Sequence, residues 1–262
     1  MKNEFSPADG FVRSLRLWWV VVIFAIAGGG LGFIVHRLLP PTYSSRIILT
    51  TSINFSQTGV LTDEKQDQAI NAARDVILSD AVKGAVLSQA ADSGIEIDST
   101  NFENSRFSDR LGYEIIIGID SRDPNIAASL TNIWGENALA TLNEDLLHSL
   151  KGEAFSETLN NLEACFEEVS VTAPSSATCQ NMGITEIQQA IDQISSLLAR
   201  EIVDSHAIIP SMSFALGNKA IIPISPTYRN RNLMVLSGLL IGFNTGILVT
   251  QIPLLNKSMR QK

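Results

Sequence analysis

Residues 17–35 read LWWVVVIFAIAGGGLGFIV, an uncharged run of 19 residues near the start of a chain of 262 residues. As an α-helix, such a run spans about 28 Å at 1.5 Å per residue, which matches the hydrocarbon thickness of a bilayer. Trp18 and Trp19 stand at its start, where aromatic side chains anchor a helix at the membrane interface. The run therefore predicts a first transmembrane helix.

A cleaved secretory signal peptide is the alternative interpretation of the same run. Arg13 and Arg16 would be its basic segment, and residues 25–27, Ala-Ile-Ala, resemble a small-residue cleavage site. The apolar run continues for eight residues beyond that site, as far as Val35. This continuation favours an uncleaved membrane anchor.

A second uncharged run, LMVLSGLLIGFNTGILVTQI, occupies residues 233–252. Gly238, Gly242 and Gly246 recur every four residues within it, which places them on one helix face and lets another helix backbone approach closely. Asn244 lies between the last two glycines, and we expect its amide to face protein rather than lipid because a lone amide is costly in hydrocarbon. The run predicts a second transmembrane helix with a glycine contact face.

The two runs divide the chain into a tail (1–16), a first transmembrane helix (17–35), a loop domain (36–232), a second transmembrane helix (233–252) and a tail (253–262). The tails carry net charges of +1 and +3. Because the whole chain has a net charge of −8, the loop has a net charge of −12. Because basic residues are enriched on the cytoplasmic side, this pattern predicts a plasma (inner) membrane protein with both termini cytoplasmic and an extracytoplasmic loop. The acidic balance also argues against a nucleic-acid partner.

Cys165 and Cys179 are the two cysteines of the chain, and both lie in the loop. In an oxidising compartment, a disulfide closing a loop of this size stabilises the fold by about 3 kcal/mol. Two buried free thiols are the alternative. A zinc site is not expected, because His36, His148 and His206 are scattered along the chain. We expect a disulfide.

The first part of the loop alternates strand and helix patterns. Residues 43–53, YSSRIILTTSI, read as a strand rich in Ile and Thr. Residues 65–90 have helical apolar spacing, and Asp80 is a candidate N-cap that divides them into two helices. Residues 111–119, LGYEIIIGI, form a short continuous apolar run and predict a buried strand.

A long helical hairpin is predicted for the middle of the loop, over about residues 124–205. Asp123 is suited to cap its first helix and Pro124 to occupy the first turn. Apolar spacing then continues for roughly 45 residues, or about 68 Å, with Gly152 as a point at which the helix could bend. A turn over 170–183 precedes the second helix, whose apolar stripe predicts an antiparallel partner for the first.

After the hairpin, residues 213–215 and 219–224 are expected to be extended and to return the chain to the sheet. Strand patterns therefore occur at both ends of the loop, and helices occupy its middle. The predicted fold is that of an α+β membrane protein, in which two transmembrane helices flank an extracytoplasmic α/β base with a long helical hairpin.

Taken in chain order, four features resemble the polysaccharide co-polymerases, the chain-length determinant family that includes the Wzz proteins. They are Tyr-Ser-Ser at residues 43–45, SRDPNIAA at 121–128 followed by Asn132, AIIPISP at 220–226, and the glycines of the second apolar run. No GxxxxGK[ST] phosphate-binding loop occurs in the chain. The resemblance is therefore to the type without a kinase domain.

The resemblance implies a non-catalytic oligomeric scaffold that regulates chain length in, or export of, a surface polysaccharide such as lipopolysaccharide O-antigen, capsule or exopolysaccharide. Its expected partners are further copies of the chain, a polysaccharide polymerase or the growing glycan, and the lipid bilayer. Pro223 and Pro226 would fix how the chain enters the second span, and Gly238, Gly242 and Gly246 how closely the spans pack. A structural or accessory subunit of another membrane complex is the alternative.

The sequence offers no sign of a catalytic centre. No GxSxG or HExxH motif occurs, and GxGxxG is not found outside the apolar runs. His148 is interpreted as a helix-surface residue rather than a ligand. We therefore predict no catalytic, cofactor-binding or metal-binding residue and no cofactor.

Overall fold

The computed structural model describes residues 16–171, 183–227 and 231–259. The chain divides into two compact units, one comprising Met1–Thr42 and Ser225–Lys262 and the other Tyr43–Ile224. The first unit contains the two apolar helices, and the second is a mixed α/β body with one very long helix. The predicted α+β class, with apolar helices at both ends of an α/β body, is confirmed.

The apolar unit consists of α1, Trp18–Leu38, and α8, Arg231–Met259. Within the described residues, the two segments Trp18–Leu38 and Asn232–Gln251 are long and apolar enough to cross a membrane. Few of their residues are buried, which distinguishes them from the core helices of a soluble domain. The helix α1 ends at Leu38, two residues before Pro40.

The α/β unit has four strands and six helices among the residues that the structure describes. In chain order they are β1 Tyr43–Ile53, α2 Phe55–Thr58, α3 Asp63–Ile77, α4 Asp80–Asp92, α5 Ser99–Ser105, β2 Arg106–Leu111, β3 Glu114–Ser121, α6 Pro124–Val171, α7 Ile184–Asp204 and β4 Met212–Leu216.

The sheet has the order β2-β3-β1-β4, and every neighbouring pair is antiparallel. Ile47 of β1 lies opposite Ile117 of β3, and alternate residues of β1 from Ser45 to Ile53 are buried. This alternation follows from the two-residue period of a strand, since one face packs against helices and the other does not. Buried side chains from α3, α4 and the first half of α6 complete the core.

Trp134 anchors α6 in this core. Its indole Nε1 donates a hydrogen bond of 3.1 Å to the carbonyl of Ile77, the last residue of α3. The ring of Phe102 meets it edge to face at 5.7 Å, and the guanidinium of Arg106 lies 6.0 Å from its centroid. These contacts fix the first turns of the long helix against the helices that precede it.

Some predicted boundaries were wrong. The strand predicted over 111–119 begins only at Glu114, as β3, because the chain turns at Gly112, whose φ is +62°, and Leu111 ends the preceding strand β2. The edge strand β2 lacks clear apolar alternation because both its faces are partly exposed. Ser79, rather than Asp80, caps α4, since its hydroxyl accepts the N–H of Val82.

Two further expectations are corrected in the second half of the chain. Residues 219–224 do not join the sheet, and β4 ends at Leu216. Pro223 cannot donate a ladder hydrogen bond, which disfavours a strand there. Gly152 lies inside the uninterrupted helix α6, and most of the predicted turn over 170–183 lies outside the described residues.

Candidate functional site

The two apolar helices meet along a line of glycines. A Cβ added at Gly238 would lie 3.0 Å from the carbonyl carbon of Gly28 and 3.3 Å from the Cα of Gly32. A Cβ added at Gly242 would lie 2.9 Å from the carbonyl carbon of Phe24. Nonbonded carbons rest at about 3.5–4.0 Å, so the backbones approach more closely here than any side chain allows.

Gly246 extends this contact by one further turn, since a Cβ there would lie 2.8 Å from the Cα of Val21. All three predicted glycines therefore face α1 of the same chain. Gly28 and Gly32 lie on the facing side of α1. Their role in this contact was not predicted from the sequence, although their four-residue spacing is the same pattern. Because the glycine face is occupied within the chain, contacts between copies must use another surface.

The segments that carried the family resemblance meet at Asn132 of α6. Its side-chain Oδ1 accepts the backbone N–H of Ala220 at 2.8 Å, and its Nδ2 donates to the carbonyl of Ala220 at 3.3 Å. Ser45 of β1 donates its hydroxyl to the carbonyl of Ile221 at 3.2 Å. These bonds hold the stretch before Pro223 against the strand and the long helix.

Asp123 caps the long helix as predicted, because its carboxylate accepts the N–H of Asn125 at 2.8 Å. In the unit of the apolar helices, Pro226 is half-buried and precedes Thr227, which pairs with Thr42 as an isolated β-bridge. The N–H of Thr227 donates to the carbonyl of Thr42 at 2.7 Å. The segments that lead out of α1 and into α8 are thus tied together.

Two histidine–carboxylate pairs join elements of the hairpin. The Nδ1 of His148 on α6 lies 2.6 Å from a carboxylate oxygen of Glu201 on α7. The Nδ1 of His206, just after α7, lies 3.2 Å from the buried carboxylate of Asp145. His148 is therefore a half-buried interhelical contact, which corrects its interpretation as a helix-surface residue.

Asp145 has an unusual electrostatic environment. Burial raises the pKa of its carboxyl above the ordinary value, and the neighbouring His206 acts in the opposite direction. The backbone of His206 is left-handed with φ of 48°, a conformation that non-glycine residues adopt at some cost. The pair of Asp145 and His206 thus connects α6 to the residues that follow α7.

Cys165 lies near the end of α6, buried against Ile187 of α7. Phe166 and Val169 pack on the same small cluster. Cys179 lies outside the described residues, so the disulfide between the two cysteines stays a prediction.

The described residues contain no group of His, Cys, Asp or Glu side chains suited to hold a metal ion. A cleft of about 450 Å³ lies beside the first turns of α6. Its lining residues carry hydroxyl, amide and aliphatic side chains and no titratable group: Ser93, Ile95, Asn125, Ile126, Ser129, Asn132 and Ile133. The cleft therefore contains serine hydroxyls but lacks a lining side chain that could activate them as a general base.

Comparison with known proteins gives a sequence match at the start of the chain. Residues 12–90 match the sequence model described as Wzz: Chain length determinant protein. A full-length bacterial polysaccharide co-polymerase aligns over 96% of this chain and 97% of its own, at 12% identity and a TM-score of 0.33. A mutant of the Shigella flexneri lipopolysaccharide O-antigen chain-length regulator WzzBSF aligns over 71% of this chain and 100% of its own, at 10% identity and a TM-score of 0.19. No curated protein sequence matches the chain.

Proposed function

We propose that the chain is a member of the Wzz chain length determinant family, whose sequence model residues 12–90 match. In this proposal it is a non-catalytic regulator of polysaccharide chain length and works as an oligomeric scaffold for a polymerase. The observation that carries this proposal is the family match, which begins before α1 and extends through β1 into α4. The polymer would be a surface polysaccharide: lipopolysaccharide O-antigen, capsule or exopolysaccharide.

In this proposal both termini are cytoplasmic and the domain between the apolar helices is extracytoplasmic, in the inner membrane. The charge difference between the basic tails and the acidic loop supports this orientation. The pairing of Thr42 with Thr227 supports only the placement of both termini on one side, because it joins the two connections at the same ends of the apolar helices. Copies of the chain would assemble in parallel, with the growing glycan or the polymerase as partner.

The length distribution of the surface glycan in a deletion strain tests this function. We expect the modal length to be lost or shifted while sugar incorporation continues, and the intact gene to restore it. An unchanged length distribution would reject the proposal and favour an accessory subunit of another membrane complex. Light scattering of the purified chain in mild detergent and in nanodiscs tests the scaffold, and a monomer in both would contradict it.

A further inference from the structure

An uncharged and exposed segment precedes the second apolar helix. Residues 220–228, AIIPISPTY, contain no acidic or basic side chain. Three of its isoleucines are in contact with solvent, since Ile221 is 81%, Ile222 51% and Ile224 100% exposed. Large aliphatic side chains that cluster on a surface mark a contact with another protein or with a membrane. We name Ile221, Ile222 and Ile224 the isoleucine cluster.

The start of this segment is fixed to the α/β body. The backbone N–H of Ala220 donates to the side-chain Oδ1 of Asn132 at 2.8 Å. The hydroxyl of Ser45 donates to the carbonyl of Ile221 at 3.2 Å. The body therefore presents the isoleucine cluster at a defined place, next to β1 and α6, and not at the end of a free linker.

The connections to both apolar helices limit how far the cluster can lie from a membrane that these helices cross. Ile224 precedes Arg231, the first residue of α8, by seven residues, which span at most about 25 Å when fully extended. On the other side, Thr227 pairs with Thr42. Thr42 follows Leu38, the last residue of α1, by four residues, which span at most about 14 Å. The surface of the same bilayer is therefore an apolar phase within reach of the cluster.

The backbone of the segment is also suited to an environment that is poor in water. Pro223 and Pro226 have no N–H group. The N–H groups of Ala220 and Thr227 already donate to other residues of the chain. Four of the eight residues 220–227 thus have no free N–H donor, which lowers the cost of removing the segment from water.

We infer that the isoleucine cluster docks onto the extracytoplasmic surface of the bilayer, with its side chains at the boundary between phospholipid headgroups and acyl chains. The occupant of this apolar surface is then the phospholipid of the membrane in which the chain is anchored. The inference rests on the membrane location in the proposed function. It goes beyond that location because it assigns a lipid contact to a segment outside both apolar helices.

Photo-cross-linking in phosphatidylethanolamine–phosphatidylglycerol nanodiscs tests the inference. In the full chain, benzoylphenylalanine replaces Ile224, or one of two control residues. Leu31, which is 63% exposed in α1, reports insertion of the apolar helices. Val60, which is 96% exposed and follows β1 at the end remote from Tyr43, reports exposure alone. We expect the intact mass to rise by one phospholipid at positions 31 and 224, with loss of this adduct at position 60.

A charge placed in the cluster tests whether its apolar character is responsible. Ile221→Glu should remove most of the phospholipid adduct at position 224, because a carboxylate is costly to move out of water. The matched variant Val60→Glu should leave this adduct unchanged. Both side chains are exposed, so the fold should tolerate either substitution, and the abundance of the chain is measured alongside.

An adduct between two copies of the chain at position 224, equal phospholipid yields at positions 60 and 224, or a yield unaffected by Ile221→Glu would each overturn the inference. A phospholipid adduct at position 31 without one at position 224 would do so and leave the proposed function standing. No adduct at position 31 would reject the membrane location on which the inference rests. An unchanged glycan length in the deletion strain would instead reject the regulatory function without removing the lipid contact.

Discussion

Gly242 is the position at which a side chain would most directly force the two apolar helices apart. A Cβ there would lie 2.9 Å from the carbonyl carbon of Phe24 and 3.1 Å from the Cα of Ala25. Carbons in contact need about 3.5–4.0 Å, so the Cβ alone requires about 0.5–1 Å of separation. The remaining carbons of a leucine require about 2–3 Å more. We therefore expect Gly242→Leu to separate the helix axes locally by about 3 Å and to cost about 1–3 kcal/mol.

Gly30 provides the matched control for this substitution. It lies in the same apolar pair, and a Cβ added there meets no atom within 4 Å. Spin labels at the exposed positions Ile26 and Leu240, in a chain with both cysteines replaced by serine, report the distance between the helices by double electron–electron resonance. We expect the distance to lengthen by about 3 Å in Gly242→Leu and to stay unchanged in Gly30→Leu.

The same pair of variants connects packing to function. At equal protein abundance, Gly242→Leu should broaden or shift the glycan length distribution, whereas Gly30→Leu should preserve it. An unchanged interhelical distance in Gly242→Leu would refute the packing argument. A lengthened distance with an unaltered glycan distribution would show that close packing of the spans is not what sets chain length.

Three further predictions concern the domain between the apolar helices. Alkylation without reductant should leave Cys165 and Cys179 unmodified in the intact mass, and two alkylated thiols would exclude the disulfide. Glu201→Ala should lower the free energy of unfolding by about 1–3 kcal/mol in denaturant titrations, because it leaves the half-buried His148 without its acceptor. Burial raises the pKa of the Asp145 carboxyl in the folded protein above its unfolded value near 3.8. The folded state is therefore favoured by the protonated carboxyl, and the free energy of unfolding falls as the pH rises from 3.8 through the folded pKa. Asp145→Asn should therefore be more stable than the parent above this range and equal to it below, and a difference independent of pH would contradict this.

Local sequence patterns predicted most of the individual elements. The two-residue alternation of β1, the apolar spacing of α3 and α4, and the cap at Asp123 depend on neighbours within one strand or one helical turn. The edge strand β2 was missed because its exposed, charged sequence, RFSDRL, resembles a loop. Such a strand forms through hydrogen bonds to β3, which a single-segment pattern does not contain.

Contacts between residues far apart in the chain explain the features of the candidate site that the sequence did not predict. The four-residue spacing of Gly238, Gly242 and Gly246 predicted a contact face, yet its partner proved to be α1 of the same chain. Likewise, Asn132 was noted for its place in a family pattern, while its two bonds to Ala220 depend on residues 88 positions away.

By itself the sequence determined the apolar helices, the acidic domain between them and the long helix, because composition and periodicity act over one segment at a time. The tertiary structure decided which faces those helices use. It placed the glycines of α8 against Gly28 and Gly32 and left Asn244 on the opposite side. It also turned His148 from an expected surface residue into a contact between α6 and α7. Partner choice depends on the summed packing of residues far apart in the chain, which no local pattern encodes.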